Sequence, residues 1–102
     1  MANTKLALFA RLHAKPGKEA EVEKFLASAL PLANAEAGTP VWFALKFGPA
    51  EFGIFDAFAD EAGRKAHLNG QIAAALMKNA EALLSQPPKI EQVELIASKV
   101  TA

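Results

Sequence analysis

The sequence predicts an α+β fold with ferredoxin-like β-α-β-β-α-β order: a four-stranded antiparallel sheet carrying helices on one face. Three observations predict it. Four short stretches are rich in apolar, β-favouring residues, and two longer ones repeat at helical spacing. The four-residue turn Gly48-Pro49-Ala50-Glu51 joins the middle two strands as a hairpin. With 102 residues, the chain fits one domain spanning 1–102.

The first strand is expected over Leu6 to Ala14, with Leu8, Ala10 and Leu12 on one side and Phe9, Arg11 and His13 on the other. The turn Lys15-Pro16-Gly17-Lys18 leads into a helix over Lys18 to Ala37. Val22, Phe25, Leu26, Ala29, Leu30 and Ala33 share one face of that helix. Pro31 lies inside the pattern and lacks an N–H, so a kink or break is expected there. Gly38 supplies the stop.

Thr39 to Phe47 reads as the second strand, placing Trp42 and Phe43 on opposite sides. Phe52 to Ala59 is the third, with Phe52, Ile54, Asp56 and Phe58 on one side. Asp60 is a good N-cap for a short helix through Leu68. Asn69-Gly70 breaks it, and Gln71 to Ser85 forms a further helix. Pro87-Pro88 ends that helix, and Lys89 to Val100 is the expected last strand, leaving Thr101-Ala102 as a free tail. Two helices cover only one sheet face, which leaves Phe9 and Phe55 on an apolar open face. A homodimer packed sheet against sheet is the expected remedy.

Charge and composition narrow the partners. Eleven basic residues balance eleven acidic ones, and no basic run carries interleaved aromatics, so nucleic acid is not an expected partner. The absence of cysteine excludes disulfides and thiolate metal sites, and fits the reducing cytoplasm as the expected location. Met1 to Lys5 shows no signal-peptide pattern, and the apolar run Leu6 to Ala10 is too short for a membrane span. No glycine-rich phosphate loop or nucleotide fingerprint is present, and the two histidines, His13 and His67, are too few for a metal site. Neither cofactor nor metal is expected.

One stretch carries candidate chemistry. Asp56 sits among apolar strand neighbours, where a carboxylate loses water and needs a partner to stay charged. His67, on the next element, has the ordinary pKa near 6.5 that suits a general base. Gly63, one turn earlier, leaves room for something to approach. A structural carboxylate paired with a base, and a histidine fixing helix to strand, are the alternative readings of the same residues. Trp42, Phe43, Phe58 and Met77 are candidate walls for a flat aromatic ligand, or ordinary core. Arg11 is expected at the interface between copies.

The segments Leu8-Phe9-Ala10-Arg11-Leu12, Lys15-Pro16-Gly17-Lys18 and Glu36-Ala37-Gly38-Thr39, with Asp56, Asp60-Glu61-Ala62 and Ala66-His67-Leu68, resemble the antibiotic biosynthesis monooxygenase domain family over essentially the whole chain. The resemblance implies a dimeric α+β barrel. It implies a cofactor-free monooxygenase acting on a hydroxylated aromatic or quinol-type molecule, with His67 as base or anion stabiliser and Asp56 as its orienting partner or an alternative base. The family's haem-degrading branch has Asn, Trp and His where Ala10, Phe58 and Met77 stand here, which argues against haem. A non-catalytic binding protein, and an isomerase or lyase using the same acid and histidine, are the alternatives on this scaffold.

Overall fold

A computed structural model describes residues 4–100. The order is β1 (Leu6–His13), α1 (Glu19–Ser28), α2 (Leu30–Asn34), β2 (Val41–Lys46), β3 (Glu51–Phe58), α3 (Glu61–Leu68), α4 (Gln71–Leu83) and β4 (Lys89–Glu94). All three strand pairings are antiparallel, and the sheet order is β2-β3-β1-β4. This is the expected ferredoxin-like arrangement, with β1 and β3 at the centre.

Pro31 does more than kink the first helix. It splits the helix in two at Ala29, and the proline occupies the first turn of α2, where a missing N–H costs nothing. The last strand is shorter than expected. Its ladder with β1 runs from Lys89 opposite Arg11 to Glu94 opposite Leu6. Beyond Leu6 no strand of β1 remains to pair with, and after one more bond, from Leu95 N–H to Lys5 C=O, the segment leaves the sheet. Thr101 and Ala102, expected as a free tail, lie outside the described residues.

The register assigns the faces. Directly opposed residues share a side, so Leu8, Ala10, Leu12, Phe52, Ile54, Asp56, Phe58 and Trp42 face the helices. Ala10, Leu12, Phe52 and Ile54 form the core with Val22 and Leu26 of α1 and Leu76 of α4. A smaller cluster joins Ala29 and Ala33 to Ile72, with Trp42 packed on both clusters. The opposite face holds Phe9 directly against Phe55, with Phe43 beside them at 55 % exposure. Phe47 folds over Gly53, where a Cβ would meet its ring at 2.9 Å. Arg11 lies over Phe47 and reaches Glu51 at 3.9 Å on the same face. No helix among the described residues is long and apolar enough to cross a membrane.

Candidate functional site

The site is built where β3 turns into α3. Asp60 caps α3 by accepting from the Gly63 N–H at 3.0 Å, fixing how the helix leaves the strand. Two turns along, His67 points back at the sheet and meets Asp56. Arg64 anchors the same helix. It is buried, donates to the carbonyls of Ala7 and Val93, and pairs with Glu61, so α3 is tied to both β1 and β4.

The room beside Gly63 is taken by protein. The backbone of Gly38 packs there, and a Cβ on Gly63 would lie 2.8 Å from the Gly38 carbonyl oxygen. This close approach of the loop after α2 brings Glu36 against the outer side of the imidazole. Gly70 completes the fit, because a Cβ there would come within 3.0 Å of Glu36 Oε2.

His67 is consequently held between two carboxylates. Nε2–H donates to Asp56 Oδ2 at 2.8 Å, and Nδ1–H donates to Glu36 Oε1 at 2.5 Å. The Thr39 hydroxyl donates to the same Glu36 oxygen at 2.9 Å. Ionised carboxylates only accept, so both ring nitrogens must carry protons and the ring is an imidazolium. Its energetics agree. Burial by itself pushes the His67 pKa down, but the bonds and charges of Asp56 and Glu36 outweigh it and raise the pKa from 6.5 to about 9. The ring of Phe58 packs 5.4 Å from the imidazole, centre to centre. The two carboxylates lie on opposite edges of the ring, so the three groups do not converge on one point, and no cluster among the described residues could hold a metal ion.

Among the described residues, the buried side-chain atoms Asp56 Oδ1, Glu36 Oε2 and Trp42 Nε1 have no partner. Asp56 is only 2 % exposed, so its free oxygen is a concentrated acceptor in a dry place. Asp56 and His67 line a small apolar cavity of about 40 Å³ with Leu8, Ile54, Ile72 and Leu76. On the other side of the ring, His67 and Glu36 border an outer cleft of about 300 Å³ between the Gly38 loop and α3.

The sequence-predicted pair Asp56 and His67 is thus brought together. Of the four aromatic and sulfur candidates, only Phe58 packs against the pair's imidazole. Phe58 is buried against His67, and Trp42 packs into the core opposite Asp56 in the β2–β3 register. Phe43 is on the open sheet face, because successive strand residues alternate sides, and it lines a separate groove with Phe55. Met77 is 58 % exposed on α4, beside Lys15 and Pro87. As a wall for the Asp56–His67 site, Phe43 and Met77 are corrected to positions elsewhere on the molecule. Glu36 and Arg64 were missed as site residues. Glu36 meets a ring 31 residues away and Arg64 donates to carbonyls of β1 and β4, contacts that no local pattern marks; Glu36 stood in the sequence only within the segment Glu36-Ala37-Gly38-Thr39.

The fold and the buried acid–histidine–acid set define a ferredoxin-like α+β protein with an ionised centre under its helices. No family model matches the chain, and no curated protein does. Among solved structures, a protein of unknown function from Nitrosomonas europaea is 74 % identical over 100 % of this chain and 99 % of its own, with a TM-score of 0.96. The chain belongs to the same family as that protein. A Pseudomonas aeruginosa protein matches at 26 % identity over 95 % of this chain and 99 % of its own, with a TM-score of 0.80. A second Nitrosomonas europaea protein, provisionally named an antibiotic biosynthesis monooxygenase, matches at 13 % identity over 90 % of this chain and 99 % of its own, with a TM-score of 0.80. At that identity the likeness is one of fold.

Proposed function

We propose that the chain is a cofactor-free monooxygenase of a small hydroxylated aromatic or quinol-type molecule. One observation carries the reading: a nearly fully buried carboxylate, Asp56, keeps one oxygen unpartnered beside an apolar cavity while an imidazolium holds the other. The provisional monooxygenase name on a fold neighbour supports it. The geometry favours Asp56 over His67 as the base. Both nitrogens of His67 are committed as donors, so the ring has no lone pair to offer, whereas Asp56 Oδ1 has.

In this reading Asp56 Oδ1 takes a proton from an activated C–H of the substrate. The carbanion adds to dioxygen, forming a C–O bond, and the peroxide takes the proton back. Loss of the second C–H proton to Asp56 breaks the O–O bond, leaving a carbonyl and hydroxide, which takes that proton from Asp56 and departs as water. Dioxygen is the oxidant, and the protein contributes a base, a positive charge beside it and exclusion of water. The chain acts as a homodimer in this reading, with a second copy covering Phe9, Phe43 and Phe55.

A second reading has its own observation. A cavity of about 40 Å³ is small beside the roughly 150 Å³ that accommodates benzene, so a ring enters only if α4, which supplies Ile72 and Leu76, moves off the sheet. If α4 stays in place, the triad is a structural clamp in a non-catalytic protein. Oxygen uptake with a panel of hydroxyanthrones and hydroquinones separates the two. Catalysis predicts turnover that falls by a factor of about 100 or more in Asp56→Asn. No uptake with any member of the panel leaves the clamp.

A further inference from the structure

We infer that Glu36 is a positioning residue: from the outer side of the ring it fixes both the orientation and the positive charge of His67, and so sets the state in which Asp56 works. The inference rests on the reading of Asp56 as base. It comes from the geometry of one ring held from both edges. Asp56 Oδ2 alone, at 2.8 Å from Nε2, would be satisfied by a neutral imidazole bearing its proton on Nε2. It is Glu36 Oε1, 2.5 Å from Nδ1, that demands the second proton.

The structure around Glu36 is arranged to hold it there. Thr39 donates to the same Oε1, and Gly38 against Gly63 lets the loop approach α3 closely enough for the carboxylate to reach. Gly70 leaves space for the other oxygen. The ionisable groups in contact with the ring are Asp56 from β3 and Glu36 from the loop after α2; α4 contributes only the neutral Gln71 to the adjacent cleft. Glu36 borders the outer cleft and Asp56 the inner cavity, so the residue setting the charge lies on the far side of the ring from the base.

The chain contains only two histidines, so ring-nitrogen NMR titration of the intact protein reads His67 directly, with His13 at the end of β1 as the second signal. In the native protein His67 should stay doubly protonated until about pH 9. In Glu36→Gln its midpoint should fall by about one pH unit, a roughly tenfold loss of proton affinity. The alkaline limb of the oxygen-uptake profile should move down with it, in kcat rather than KM. Thr39→Val, a milder change, should lower the midpoint in the same direction by less, and decides the matter if Glu36→Gln does not fold. A His67 midpoint that stays put in both variants overturns the inference. Absence of oxygen uptake in the native protein would sink the oxygenase reading alone, because the NMR titration reports on Glu36 without it.

Discussion

Raising the pH from 6 to 10 should destabilise the folded protein through a single side chain. His67 titrates near 6.5 in the unfolded chain and at about 9 in the folded one. The folded state therefore binds the proton more tightly. The resulting stabilisation is fully present below pH 6.5 and is lost as pH rises through 9. A difference of 2.5 units corresponds to about 3 kcal/mol. For a domain this small, that is a large share of total stability. Urea unfolding at constant ionic strength is the assay, with m expected to stay constant and the midpoint to fall between pH 6.5 and 9. His67→Gln supplies the control. It starts less stable, because two buried carboxylates then face each other without a cation, but its midpoint should lack the slope. Native stability that is flat or rising over that window would refute the assignment of an imidazolium held between Asp56 and Glu36.

Two further perturbations test the frame around the site. Gly63→Ala drives a Cβ to 2.8 Å from the Gly38 carbonyl oxygen, so the loop must retreat. It should cost about 1–3 kcal/mol in urea unfolding and lower the His67 midpoint as Glu36 withdraws. Phe43→Asp places a charge on the open sheet face from edge strand β2, beside Phe55 at 6.5 Å between ring centres. Native protein should sediment at twice the 10.8 kDa chain mass and the variant at that mass, with His67 unchanged; a native monomer would remove the second copy.

Most of the fold was legible because its signals are local. Proline at position 31 lacks an N–H wherever the helix goes, so an interruption was readable, although the complete split at Ala29 was not. Asp60 marked the cap of α3, and the turn Gly48-Pro49-Ala50-Glu51 marked the hairpin. The end of β4 was misread because a strand stops where its partner stops. Leu95 to Val100 retain a strand-like composition, but β1 starts at Leu6 and offers them nothing to pair with.

The site was half legible for the same physical reason. Asp56 was visible as an acid among apolar strand neighbours, and His67 as a titratable group on the next element, but their meeting was decided by the way α3 packs on the sheet. The role of His67 was not visible. A histidine with one carboxylate can act as a base, and with two it becomes a fixed cation, and the second carboxylate comes from 31 residues away. What the sequence by itself determined is the α+β order, the apolar open face and Asp56 and His67 as the candidate groups, because periodicity and caps act within a few residues. Only the tertiary structure decided that Glu36 closes on the ring, that Phe43 and Met77 lie elsewhere, and that Asp56 is left with the free oxygen. Those outcomes depend on the approach of the Gly38 loop to Gly63, a contact between backbones that side-chain patterns do not encode.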